Sequence, residues 1–214
     1  MMKKRVLVLA EDQWHPAADV QQGFATFGAS QFDFEFETDG AKWLPEKLTD
    51  FPLVVVAKAN HIYAADQAPW LVAGKDGAFR DFVQRGGGLF LIHGGTCYKD
   101  RPEMRRVTGG AFLSHPEQCD VTIEPRAGHP VTAGVNTFVV RDEHYLIALD
   151  DGGADVFLTT RSQHGVQPAG WTRREGSGRV CALTPGHNPE VWLHPEFQKL
   201  LLNAMRWTAK LDRT

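Results

Sequence analysis

Cysteine is scarce in this chain, with only Cys97, Cys119 and Cys181 among 214 residues. They are odd in number, widely spaced and without a C-x-x-C pair, so neither a disulfide framework nor a cysteine-built zinc module is expected. Reduced thiols and a cytoplasmic location fit this usage. Long apolar runs are missing too. No stretch approaches the ~18 to 20 residues of a membrane span, and the run Val6 to Ala10 is too short for a secretion signal, with Glu11 and Asp12 interrupting it. Charge of one sign is not in excess either: 23 Lys and Arg face 26 Asp and Glu, a formal net charge of −3, which argues against a nucleic-acid partner. The first strand-to-helix turn, Glu11-Asp12-Gln13-Trp14, lacks the glycines that cradle a dinucleotide pyrophosphate, so neither flavin nor NAD is expected. G-x-S-x-G, H-E-x-x-H and H-x-H are absent as well.

What is present is an ordinary globular composition, 43% hydrophobic and 23% charged. At this length roughly 70% of the unfolded chain's surface can be buried, so one core held by packing alone is expected. No repeat, low-complexity tract or linker divides the sequence, and 1–214 reads as a single domain.

Arg5 to Ala10 and Leu53 to Ala57 are continuous apolar runs, the pattern of parallel strands buried on both faces. Phe32, Phe34 and Phe36 alternate with acidic residues, which predicts a half-exposed strand nearer an edge. Ala17, Val20, Gln21, Phe24 and Phe27 recur at helical spacing, with Gly28 as the stop. Phe79 to Gln84 ends a second helix, and Gly86-Gly87-Gly88 turns the chain into the strand Leu89 to Ile92. This alternation predicts an α/β fold with a doubly wound, mostly parallel sheet. Further on, Val121 to Glu124, Thr137 to Val140, Val156 to Thr160, Gly170 to Arg173 and Arg179 to Leu183 read as short strands, several of them antiparallel at the far edge. Phe197, Leu200, Leu201, Ala204 and Trp207 stripe a last helix opened by His194-Pro195.

Ligands of open α/β sheets bind outside the carboxyl ends of the strands. There the sequence places Glu11, Asp12 and His15, then Asn60 and His61, then His93-Gly94-Gly95-Thr96. In the last segment an apolar strand stops abruptly at a polar residue flanked by glycines, which predicts a tight elbow presenting His93.

Several segments together resemble the ThuA-like, or trehalose-utilisation, family. They are Gly86 to Gly95, Phe112 to Pro116, Gly128 to Gly134, Asp142-Glu143 with Tyr145, Pro185-Gly186-His187 and Pro195 to Trp207. The resemblance runs in order over essentially the whole chain. It implies a flavodoxin-like scaffold akin to class I glutamine amidotransferases, but with His93 where those enzymes carry a cysteine nucleophile, and hence no glutaminase chemistry. It also implies a role in the breakdown of disaccharides or other glycosides, and a functional link to the sugar oxidoreductases that make keto-sugars.

The expected catalytic residues are His93, Glu143 and His187, with Asp12, His15, Asn60, His115 and Trp192 binding substrate. Two chemistries stay open. Unligated imidazole and carboxylate groups near neutrality would move protons at a carbon beside a sugar carbonyl, supporting isomerisation, epimerisation or elimination. Alternatively His93, Glu143 and His187, with His115 as a further candidate, would bind a divalent metal such as Zn by tertiary convergence. Trp14 and Trp192 stand beside the candidate histidines, where aromatic faces could stack on sugar rings. His61, His129, His144, His164 and His194 read as structural or surface residues, and Cys97 as an inert thiol. A non-catalytic sugar-binding domain is the competing class. The expected partner is a small sugar ligand, with no membrane, and self-association into a homo-oligomer stays open.

Overall fold

The computed structural model describes residues 3–26, 31–150 and 152–211. The expected helix positions Phe27 and Gly28 lie outside the described residues. Five helices and eleven strands follow in the order β1 (Lys4–Leu9), α1 (Ala17–Ala25), β2 (Phe32–Glu37), β3 (Leu53–Val56), α2 (Gly77–Gln84), β4 (Gly88–Ile92), α3 (Pro102–Thr108), β5 (Gly110–Ser114), β6 (Cys119–Pro125), β7 (Phe138–Asp142), β8 (Leu146–Leu149), β9 (Asp155–Ser162), β10 (Gly165–Glu175), β11 (Gly178–Leu183), α4 (Pro189–Leu193) and α5 (Pro195–Thr208).

Nine strands form one sheet in the order β2-β1-β3-β4-β11-β10-β9-β6-β7, and β5 pairs with β8 in a separate two-stranded sheet. The first five strands of that order are mutually parallel, and every pairing from β11 onward is antiparallel. The fold is thus α/β with a large mixed sheet, parallel in its core and extended by antiparallel strands. The alternating phenylalanine strand, β2, is the edge of the parallel half, as its period of two predicts.

The apolar runs are explained by what covers them. Val6 and Val8, Leu53 and Val55, Phe90 and Ile92, and Cys181 and Leu183 point into one core, where they meet Val20 and Phe24 of α1 and Phe197, Leu200, Leu201 and Ala204 of α5. Their neighbours Leu7, Leu9, Val54, Val56, Leu89, Leu91, Val180 and Ala182 point the other way, onto Phe79, Phe82 and Val83 of α2 and Met104 and Val107 of α3. With both faces buried, no position in these strands favours a polar side chain.

Three departures from the sequence reading stand out. The connection from β2 to β3 contains only a 3-10 turn, Pro45–Asp50, and no α-helix. The strand Arg179 to Leu183 lies in the middle of the sheet, parallel to β4. The antiparallel half curls: β7 is four strands from β11, about 19 Å on a flat sheet, yet Asp142 at its end accepts a 2.8 Å hydrogen bond from the N–H of Gly186, just beyond β11. That curl brings the segment after β7 over the carboxyl rim of the parallel strands.

The turn after β4 depends on close approach between strands. A Cβ on Gly95 would lie 2.0 Å from the Val56 carbonyl oxygen, so Gly95→Ala requires the backbone to shift and costs on the order of 1–3 kcal/mol. Gly77, with nothing within 4 Å of a built Cβ, is the control, where alanine is expected to be neutral or mildly stabilising. Thermal unfolding checks both: the Tm of Gly95→Ala falls by about 2–4 °C per kcal/mol lost, and equal Tm values for the two variants would contradict the crowding.

Candidate functional site

The carboxyl ends of β1, β3, β4 and β11 deliver His15, Asn60, His93 and His187 to one place. His93 begins a 3-10 turn, His93–Thr96, and adopts a left-handed φ of 47°. The turn is held by the Thr96 hydroxyl, which donates to the His93 carbonyl at 2.8 Å. Small neighbours are required: a Cβ on Gly94 would stand 2.9 Å from His15 Nδ1.

The tautomers follow from the hydrogen bonds. His93 Nδ1 lies 2.7 Å from the Thr184 carbonyl oxygen, which only accepts, so Nδ1 carries the proton and Nε2 presents a lone pair. Burial pulls the His93 pKa down to about 4, although the contact with Glu143 works in the other direction, and the ring is neutral near pH 7. His15 Nδ1 is likewise 2.7 Å from Asp12 Oδ2, which frees its Nε2. Nδ1 of His187 is buried and makes no hydrogen bond among the described residues.

Glu143 completes the cluster. Its Oε2 lies 3.3 Å from His93 Nε2 and 3.4 Å from His187 Nδ1, while its Oε1 lies 3.5 Å from His115 Nε2. Burial pushes this carboxyl up, but the His93 contact and the fields of His93, His187 and His115 bring it below the usual glutamate range. His15, His93, Glu143 and His187 each offer one ligand atom, all within 4.8 Å of one another. Ligands of a tetrahedral zinc stand about 3.4 Å apart for bonds of 2.0–2.1 Å, which is the spacing around Glu143. The donor set of three imidazoles and one carboxylate suits a divalent ion of this kind. The ligand rings of His15 and His93 are themselves held in orientation by hydrogen bonds to Asp12 and to the Thr184 carbonyl.

The model of the ThuA family, described as trehalose utilisation, matches residues 5–208. The chain belongs to the ThuA family. Among solved structures it is similar to a ThuA-like protein from Parabacteroides merdae, with TM-score 0.79 and 19% identity over 100% of this chain and 92% of that one. A ThuA-like protein from Bacteroides uniformis matches with TM-score 0.74 and 21% identity over 96% of this chain and 91% of that one. A β-galactosidase from Rahnella sp. R3 matches with TM-score 0.67 and 16% identity, over 100% of this chain but 32% of that one. At these identities the likeness is one of fold. No curated protein matches the chain.

In this ThuA-family chain two members of the cluster, His15 and Glu143, line a cavity of about 440 Å³ together with His115 and Tyr145, while His93 and His187 stand behind them and line a small adjoining pocket with His15. His93, Glu143 and His187 are brought together as expected from the sequence, and His15 joins them instead of standing apart as a substrate contact. Asp12 does not line the cavity. It is buried behind His15, with Oδ1 accepting from the N–H groups of Trp14 and His15 and Oδ2 from that of Ala59, so its role is to position the loop and the imidazole. Asn60 reaches the cavity edge, yet both ends of its amide bond the backbone of Leu71, at 3.1 and 2.9 Å, and it braces the loop. Trp192 corrects the sequence reading most clearly: it is 3% exposed in the core, and its indole N–H donates to the Gly186 carbonyl, so it supports the His187 turn from behind.

Other residues went unassigned in the sequence. Tyr145 stacks on His93, ring centroids 4.2 Å apart and planes 26° apart, with its hydroxyl 2.9 Å from Nε2. With its other ring nitrogen donating to the Thr184 carbonyl, His93 Nε2 is the acceptor in this contact and the tyrosine hydroxyl the donor. Burial holds the Tyr145 pKa well above its ordinary value, so it remains a donor. His61, read from the sequence as structural or surface, lines the cavity. Lys58, 1% exposed, donates to the Ile62 carbonyl, and burial lowers its pKa to about 8. A lone lysine following an apolar strand carries no sequence signal of either feature. His129 and His194 are structural, accepting from the N–H groups of Val131 and Glu196.

Asp12 links the site to acid stability. Burial alone would raise its pKa, but the bond and charge of His15 and the backbone donors bring it down to about 2, against about 3.9 in an unfolded chain. A depressed folded value stabilises the protein above the unfolded value and loses that contribution as pH falls toward 2. The difference is worth about 2–3 kcal/mol. Urea unfolding followed by circular dichroism is expected to show Asp12→Asn less stable at pH 7, with the gap to wild type closing between about pH 4 and 2. Parallel profiles would contradict this assignment.

Proposed function

We propose that this ThuA-family chain is a carbohydrate-processing enzyme acting on a keto-sugar glycoside, assisted by a divalent ion such as zinc on His15, His93, Glu143 and His187. The observation that carries this reading is electrostatic. Glu143 Oε2 lies 3.3 Å from His93 Nε2, whose partner nitrogen already gives its proton to a carbonyl. Carboxylate and imidazole lone pairs at that distance repel unless positive charge lies between them. Neutral at cellular pH, His93 is better suited to act as a ligand than as a proton carrier.

When bound, such an ion polarises a sugar carbonyl and makes the neighbouring C–H acidic. The chain's own groups then supply the proton traffic. Tyr145 holds a donor beside the cluster for an oxygen that gains negative charge. Glu143 Oε1 and His115, 3.5 Å apart, form the pair placed to accept a proton from carbon and to return it. Return to a different position isomerises the sugar, return to the opposite face epimerises it, and loss of a β-placed glycosidic oxygen splits the glycoside. The scaffold is akin to that of class I glutamine amidotransferases, but glutaminase chemistry is excluded by the imidazole at the elbow. Cys97 does not replace the missing nucleophile, because burial pushes its thiol up to about 12 and keeps it protonated.

The test combines elemental analysis with turnover. Purified protein is expected to hold one zinc or similar ion per chain and to lose it in Glu143→Gln and His187→Ala. With 3-ketotrehalose in D2O, NMR is expected to show deuterium entering carbon beside the carbonyl, or glycoside cleavage, suppressed by a chelator and restored by metal. His115→Ala is expected to keep the ion and lose about 10²–10⁴ in kcat. Turnover that ignores chelation would reject the metal, and sugar binding without turnover would leave a binding domain instead of an enzyme.

A further inference from the structure

Trp14 is the most exposed of the large aromatic side chains around the cavity, at 52%, and forms part of its wall. Its position is fixed from below. Asp12, the same carboxylate that orients His15, accepts the Trp14 backbone N–H at 2.8 Å, so the indole stands on a loop clamped to the cluster. Its ring leans on the His61 imidazole, centroids 4.7 Å apart and planes 49° apart. From the β5 and β8 side, Phe112 and Tyr145 also line the cavity, their rings 4.2 Å apart. Polar side chains, Lys99 and Asp100, share this lining and are themselves exposed.

An indole left half in water forfeits apolar burial, and an aromatic face fixed beside a cavity that also carries charged side chains is a recognition surface. The combination has a specific chemical complement. A pyranose ring presents an apolar C–H face for stacking and a rim of hydroxyls for charged and amide partners, whereas a purely apolar ligand would leave Lys99 and Asp100 unanswered. At about 440 Å³ the cavity belongs to the class that encloses a whole small ligand, more than the reacting ring at the cluster.

We propose that the mouth of the cavity is a second glycosyl subsite with Trp14 as its platform, so that the chain selects disaccharide-type ligands over single sugars. This inference rests on the carbohydrate reading above and adds the part of the ligand that does not react. The ring beside the cluster is gripped by polar groups that can follow its chemistry. The distal ring is gripped through its face, which tolerates variation in hydroxyl configuration.

Calorimetric titration of the purified protein with trehalose and with glucose tests it. Neither sugar carries the carbonyl that the proposed reaction needs, so binding is read without turnover, and the result is independent of whether that reaction occurs. Wild type is expected to bind trehalose about tenfold more tightly than glucose, from the indole area covered. Trp14→Ala is expected to bring trehalose down to the glucose value and leave glucose unchanged, with Tm and metal content as in wild type, and Trp14→Phe to keep most of the preference. Equal affinity of wild type for the two sugars, no binding of either, or a preference that survives Trp14→Ala overturns the subsite. Turnover of 3-ketotrehalose in the same preparation then shows whether the reading of the reaction stands without it.

Discussion

The left-handed turn at His93 is the constraint on which the rest of the site depends. A non-glycine residue at φ 47° costs roughly 1–3 kcal/mol, and an elbow of this kind persists only where its surroundings leave no alternative. Here they leave none. The carbonyl of Thr184 takes the Nδ1 proton, the Thr96 hydroxyl ties the turn to itself, and Gly94 and Gly95 let β1 and β3 approach so closely that no side chain fits between. The result is an imidazole fixed in both position and tautomer, with its ring 4.8 Å from that of His15 and 5.4 Å from that of His187. Rotating His93 out of this turn would remove the ring that stands beside Glu143, His15 and His187 at once.

Three carboxyl groups surround these imidazoles, and their surroundings drive them apart. Asp12 has backbone donors and an imidazole to balance it, and its pKa falls to about 2. Asp142 also accepts backbone N–H groups, from Gly186 and His187, but it is fully enclosed and stands next to the charge of Glu143, so burial lifts its pKa to about 7. Glu143, open to the cavity on one side, is held below the usual glutamate range by the imidazoles around it. Each value matches a mechanical role: Asp12 is a permanent anion that orients His15, Asp142 fastens the curled end of β7 to the turn carrying His187, and Glu143 is the one carboxylate free to meet a ligand. A positive charge at the cluster would favour the ionised form of Asp142 as well, and so tighten the clamp that holds His187 in place.

Much of this was legible in the sequence, for physical reasons that differ by element. The parallel strands announce themselves because burial on both faces leaves only apolar residues, and the glycines around His93 mark crowding that any chain must relieve. The strand β5 and helix α3 were not legible. β5 mixes a buried start with the exposed Leu113 and Ser114, so no period survives, and α3 is seven residues long with only Met104 and Val107 as buried apolar side chains. At the site, the convergence of His93, Glu143 and His187 was readable from strand ends and family resemblance together. Which face Trp192 presents was not. It sits five residues after His187, and only the short helix α4 turns the indole inward, where the Gly186 carbonyl waits for its N–H. Asp12 and His15 are three residues apart, a spacing as compatible with two substrate contacts as with a carboxylate behind an imidazole; the loop geometry decides between them.

An imidazole at the elbow has a consequence for the whole cavity. A nucleophilic thiol needs one base beside it and donors for an oxyanion, and it tolerates no competing lone pairs at its tip. The His93 elbow offers the reverse, an unprotonated Nε2 beside a carboxylate oxygen and two further imidazoles. Cys97, the one thiol near this cluster, is hydrogen-bonded to the Tyr145 hydroxyl at 4.0 Å, and burial keeps its proton on. Any chemistry here must therefore proceed without a covalent bond to sulfur. In the function proposed above the substrate's own carbonyl supplies the reactivity, and the residues around the cavity have only to hold it and move its protons.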